Sequence, residues 1–175
     1  VTTTVFCQED VKSFKILTGV DMPNNPIFSH NGKYIGVGTY GAVKIWEVSS
    51  GKATDFKTKG TEVPFLVAFS PNDKYIASGV YGAVRVWEIK TKKFRDYEIK
   101  YDAETPLSVS FSPNGKYIAT AMFGAIRVWN LSTGKHIDYE TRMTSDLPKF
   151  VNFSPDSASI VAGLYGEVRV WKLKK

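Results

Sequence analysis

The chain has 175 residues and a net charge of +6, from 23 Lys and Arg against 17 Asp and Glu, a length that suits one domain with a sizeable core. Apolar residues make up 43% and aromatics 14%, which excludes a disordered or low-complexity chain. A lone cysteine, Cys7, excludes an internal disulfide and any metal site built on several thiolates, and no run of about 18 apolar residues offers a membrane helix.

In chain order, residues 1–12 read as an N-terminal arm. Val5-Phe6 weakly echoes Val86-Trp87, so a leftover strand of an upstream unit is the alternative. "SFKIL", residues 13–17, has the character of a strand: Phe14 precedes Phe28 by 14 positions, as Tyr97 precedes Phe111. From there the chain divides into four units of about 42 residues, at 13–49, 50–90, 91–132 and 133–175. The second shows the pattern most clearly. "FLVAF" (65–69) is strand a, "SPND" a turn, "KYIASG" strand b, "VYGA" a tight turn, "VRVWEI" strand c, "KTKK" a turn and "FRDYEI" strand d. Short period-two runs separated by turn residues predict a four-stranded antiparallel sheet per unit, with no helix.

Three residue types keep register throughout. Trp46, Trp87, Trp129 and Trp171 are spaced 41, 42 and 42 apart; Phe28, Phe69, Phe111 and Phe153 keep the same spacing; and a proline stands five positions before each Phe, at 23, 64, 106 and 148. Small sheets repeated this way must stack face to face to bury their apolar sides. The predicted fold is all-β, a propeller of four-stranded blades.

At "FSPNGKYIAT" followed by "GAIRVWNLSTG" the chain resembles the WD-repeat family of β-propellers, and the resemblance runs from Phe14 to the end. It implies ring closure in which an N-terminal strand d completes the blade formed by the last a, b and c strands, leaving no open sheet edge. Four blades are few for that family. Two copies forming one eight-bladed ring is the first expectation; a fragment of a longer chain and a small four-bladed ring are the others.

Catalytic and cofactor motifs do not survive their context. "GVGTYG" (36–41) fits the glycine pattern of dinucleotide sites, but a strand follows it where a helix is required. "SSGKAT" and "LSTGKH" lack the first glycine of a phosphate loop, Trp46 and Trp129 standing in its place, and read as c–d turns. His30 and His136 lie in different turn types with no cysteine or paired carboxylate beside them, so neither a metal site nor a nucleophile with its base is visible. No enzyme, cofactor or metal is expected. The sequons at Asn130 and Asn152 carry no weight. The repeated basic position at Lys44, Arg85, Arg127 and Arg169 reads as packing between blades, the stem buried and the charged head in water, so no nucleic-acid partner is expected.

The resemblance also shows departures. Many repeats of that family join an Asp in the b–c turn, a His in the d–a loop and a strand b hydroxyl to the strand c Trp. Here the Asp position holds Tyr40, Tyr81, Phe123 and Tyr165; the His position holds Gly19, Gly60, Asp102 and Thr144; and strand b holds Val37, Ser78, Thr120 and Ala162. Losing the whole network is coherent, since a half-satisfied one costs more than none. Burial of the four rings in its place is the first expectation, contributing about 2 kcal/mol per blade; an exposed aromatic platform is the second.

Propeller connectivity places b–c turns and d–a loops on one face. Glu62, Asp102, Glu104 and Asp146 would gather there with the four aromatics, as a candidate interaction face. Lys33, Lys52, Lys74, Lys90, Lys92, Lys93, Lys116 and Lys135 would gather on the opposite face. The functional expectation is a non-catalytic scaffold that holds a protein or peptide partner on the aromatic, acidic face, its basic face meeting an acidic surface. The alternatives are a self-assembling ring or filament and a lectin-like propeller. Self-association into a closed ring is expected, with no membrane partner; the lone cysteine and the absence of a visible signal peptide point to an intracellular, cytoplasmic or nuclear setting.

Overall fold

A computed structural model describes residues 4–8, 11–15, 24–58, 64, 66–99, 106, 108–141 and 148–174, with side chains described from residue 24 onward. The order of elements is a short hairpin followed by four repeats. The hairpin is β1 (Thr4–Gln8) and β2 (Val11–Lys15). Blade 1 contains β3 (Asn24–Phe28), β4 (Tyr34–Thr39), β5 (Ala42–Glu47) and β6 (Ala53–Lys57). Blade 2 contains β7 (Val67–Phe69), β8 (Tyr75–Val80), β9 (Ala83–Glu88) and β10 (Phe94–Glu98); blade 3 contains β11 (Val109–Phe111), β12 (Tyr117–Met122), β13 (Ala125–Asn130) and β14 (His136–Glu140). Among the described residues blade 4 has three strands, β15 (Val151–Phe153), β16 (Ser159–Leu164) and β17 (Glu167–Lys172). All pairings are antiparallel and sequential, strands a, b, c and d lying in that order across each sheet.

Burial follows from stacking. In β9 and β13 five consecutive residues are buried, because a sheet covered on both faces has no solvent side on which to place polar residues. Strand d is covered on one side only and buries a single aromatic: Phe56, Tyr97 or Tyr139. Each apolar core therefore lies between two blades. Val43, Ile45 and Phe56 of blade 1 meet Phe69, Ile76 and Trp87 of blade 2. Val84, Val86 and Tyr97 of blade 2 meet Phe111, Ile118 and Trp129 of blade 3. The strand d ring sits edge-on to the next blade's tryptophan, at 6.3 Å for Phe56–Trp87 and 6.0 Å for Tyr97–Trp129, a favoured arrangement of ring quadrupoles.

The recurring proline has a packing cause. A Cβ at Gly38 would stand 1.9 Å from the carbonyl oxygen of Pro64, and one at Gly79 would stand 2.2 Å from that of Pro106. The backbone leading into blades 2 and 3 thus presses on a glycine in strand b of the blade before it, while blade 3 itself carries Ala121 at that position. Only a residue without a side chain admits that approach.

Several expectations need correction. Val11–Lys15 pairs with Thr4–Gln8, Val5 opposite Phe14, and not with β17, whose one ladder partner among the described residues is β16. A local hairpin closes a far shorter loop than a strand crossing to the last blade does. This hairpin straddles the boundary drawn between residues 12 and 13. Phe28, which shares the repeat position of the buried Phe69 and Phe111, is 65% exposed, and Phe153 and Trp171 are only partly buried while Trp46, Trp87 and Trp129 are buried. Strand a of blade 2 is the three residues Val67–Phe69 rather than five.

Candidate interaction faces

The b–c connections are two-residue turns closed by the pairs Thr39–Ala42, Val80–Ala83, Met122–Ala125 and Leu164–Glu167. Each turn is an aromatic followed by glycine, and Gly41, Gly82, Gly124 and Gly166 all adopt φ between 67 and 73°. A side chain at the second position would be strained, whereas the first takes an ordinary negative φ and tolerates a large ring. The glycine carbonyl of the first three turns accepts the amide of Thr58, Ile99 and Thr141, respectively, just beyond strand d, which fixes the turn against its own blade.

So placed, the rings project from the sheet ends. Tyr40 is 59% exposed, Tyr81 53%, Phe123 48% and Tyr165 90%. This overturns the expectation that they are buried in place of a polar network. A two-residue turn lifts its first side chain beyond the last ladder pair. Glu62, Asp102, Glu104 and Asp146, placed by sequence on the same face, lie outside the described residues.

Part of the polar inventory survives with new partners. Ser78 Oγ donates to the Leu66 carbonyl at 2.9 Å, and Thr120 Oγ1 donates to that of Ser108. The repeated basic residue of strand c is not a solvated head. Arg85 Nε and Nη2 donate to the two carboxylate oxygens of Asp96 at 2.6 and 2.8 Å, and Arg127 engages Asp138 in the same way at 2.6 Å for both bonds. Both guanidinium groups are buried, each over its own tryptophan at 5.9 and 5.8 Å. Lys44 stands 3.6 Å from Asp55. Asp55, Asp96 and Asp138 sit directly across the c–d ladder from these cations. The missed signal was an acid 11 positions after the base in three repeats, a spacing that a c–d hairpin turns into direct opposition. Arg169 pairs with Glu167 on its own strand instead.

On the opposite face the a–b turns share one device. Ser29, Ser70, Ser112 and Ser154 accept through Oγ the amide of the residue five positions on, at 2.9 to 3.0 Å. The next residues of these turns include one in the left-handed region: Gly32, Asp73, Gly115 and Ser157. The residue after each strand c donates to the a–b turn carbonyl of its own blade, as Ile89 does to Lys74 and Leu131 to Lys116, so the c–d turns lie at the same end. Lys33, Lys52, Lys74, Lys90, Lys92, Lys93, Lys116 and Lys135 are all exposed there. Between successive blades this face opens into grooves of about 660, 830 and 290 Å³. No group of His, Cys, Asp and Glu among the described residues could hold a metal ion.

Stacked four-stranded antiparallel sheets with these inter-blade cores define a β-propeller array. A family model, the WD domain, G-beta repeat, matches residues 65–88 and 101–130. Among solved structures, the β-propeller domain of Cps50 (Swd1) from Myceliophteria thermophila superposes with a TM-score of 0.77 at 13% identity, covering 98% of this chain and 64% of that one. The chain thus spans about two thirds of that domain's length. No curated protein matches significantly. This chain carries WD repeats and has the fold of the WD-repeat β-propellers. Such propellers are in general protein-interaction scaffolds and typically non-catalytic.

Proposed function

We propose that this chain holds a basic or extended segment of a protein partner on the face formed by its b–c turns. The observation that carries this reading is the exposure of all four turn aromatics, three of them on turns pinned to their blades. Large aromatic rings have few rotatable bonds and so add contact area on binding at a small cost in conformational entropy. In the sequence the acidic residues Glu62, Asp102, Glu104 and Asp146 fall in the segments joining strand d of one repeat to strand a of the next, and their charge favours a cationic partner. The test is affinity capture from the source cell with wild type and with the double variant Tyr81→Ala, Tyr165→Ala. The expected result is loss of the wild-type partner with the thermal midpoint nearly unchanged. Retained capture by a folded double variant would defeat the proposal.

A second reading, self-association, is favoured by a different observation. Val168 and Val170 are 74% and 63% exposed, although their counterparts in blades 1 to 3 are buried against the strand a Phe of the next blade. Phe28 is exposed at the other end of the array. These surfaces are the two halves of one inter-blade contact, and a second copy can join them head to tail.

A further inference from the structure

Two of the three junctions between a–b turns are latched by the left-handed residue of the later blade. At blades 1 and 2, Asp73 Oδ1 accepts the His30 amide at 2.9 Å and Oδ2 accepts the Asn31 amide at 2.8 Å. His30 Nδ1 lies 3.0 Å from the same carboxylate. At blades 3 and 4, Ser157 Oγ accepts the Asn114 amide at 3.0 Å. Asp73 and Ser157 both keep positive φ, 52° and 59°, a strained state for residues with a side chain.

Among the described residues the a–b turns of blades 2 and 3 have no such latch, and these blades are joined nearby by Arg95 Nη1 and Tyr97 Oη, which donate to the Leu131 carbonyl at 3.2 and 3.0 Å. Gly115 occupies the position, with φ 68° and open space where a Cβ would be. Pro71 has no amide hydrogen, and among the described residues no side chain crosses to the amide of Asn72, the counterpart of Asn31 and Asn114. At this junction lies the groove of about 830 Å³. Val86, Tyr97 and Phe111 form its apolar floor, and Lys93, Arg95 and Lys116 line its rim. Glu88, the carboxylate nearest in sequence, is engaged by the Thr91 hydroxyl.

We infer that this groove is a docking site for an acidic segment of a partner protein, whose Asp or Glu carboxylate takes the place at Asn72 that Asp73 fills one blade earlier. The protein's own latches show the chemistry the position accepts: a side-chain oxygen, the Asp73 carboxylate or the Ser157 hydroxyl, on the backbone amide of the Asn at this place in the turn. The rim cations add charge complementarity, and the floor receives an apolar side chain beside the acid. This site lies on the face opposite the turn aromatics and does not depend on them.

The experiment titrates the full chain with a fluorescein-labelled synthetic peptide of alternating Asp and Leu, read by fluorescence anisotropy and by the backbone amide spectrum. The expected result is saturable binding that shifts the Asn72 amide, at least about tenfold weaker for the peptide with Asn in place of Asp. Gly115→Asp supplies the missing latch and is expected to block the peptide at least about tenfold, with a small loss of thermal stability from the positive φ, a conformation that Asp73 already adopts. Should that variant not fold, Lys116→Glu with Arg95→Glu tests the rim. Asp73→Gly should open a second, equivalent site and raise the stoichiometry. Equal binding of the Asn peptide, or undiminished binding by folded Gly115→Asp, overturns the proposal. So does displacement of the peptide by single-stranded RNA that binds Gly115→Asp unchanged, which would make this a nucleic-acid surface.

Discussion

Asp73 occupies a backbone conformation that glycine would adopt without strain, and its carboxylate is nearly buried. Burial opposes its ionisation, but the hydrogen bonds from His30 and Asn31 outweigh that cost and hold its pKa below the ordinary carboxylate value. A lowered folded-state pKa contributes stability above the unfolded value, and that contribution is lost as pH falls through the lowered one. Asp73→Asn keeps the shape and the tolerance for positive φ while removing the charge and one acceptor. It is expected to cost about 1 to 2 kcal/mol at neutral pH. In chemical unfolding, the gap between wild type and variant should be full above about pH 4 and close as the medium becomes more acidic. A gap independent of pH would show that the ionised carboxylate is not what holds this junction.

At the scale of the strand, the blade was legible because its signals are local. Trp87, Phe69 and the alternating residues between them fix strand identity and register, and the proline of each repeat was visible before its role was. That role needed two blades: Pro106 matters because its carbonyl presses on Gly79. Gly79→Ala should therefore destabilise the protein by about 2 to 3 kcal/mol, as overpacking does. Gly163→Ala, with nothing within 4 Å of its new Cβ, should be close to neutral. Thermal or denaturant midpoints of the two variants check this directly.

Features that depend on a neighbouring blade were not legible. Phe28 has the same local sequence setting as Phe69 yet stands in water, because burial of strand a is decided by the blade before it. The turn aromatics escaped for a related reason. Substituting Tyr for Asp at position 81 suggests packing by composition, whereas the two-residue turn geometry directs the ring outward. The Arg85–Asp96 and Arg127–Asp138 pairs were within reach of the sequence through their repeated spacing.

For the whole molecule, the three cores between blades make each sheet dependent on its neighbours, as in other repeat arrays. Among the described residues the end sheets have one neighbouring sheet fewer. If a second copy supplies it, sedimentation of the wild type should show species heavier than one chain at high concentration. Val170→Lys, which places a charge in that contact, should shift the distribution to single chains without lowering the thermal midpoint of the chain itself. A wild type that stays a strict monomer would remove self-association and leave partner binding as the reading.

Blade 4 carries one further consequence, in Glu167. Ala42, Ala83 and Ala125 stand at this position in the other blades, where the strand c cation relies on an Asp delivered by strand d. Here the counter-ion is built into strand c, and Arg169 is neutralised before any fourth strand arrives. A strand that adds itself to the edge of β17 has no charge to bring, so its entry is governed by main-chain pairing and apolar fit. The edge is thereby permissive toward sequence, and it discriminates by shape.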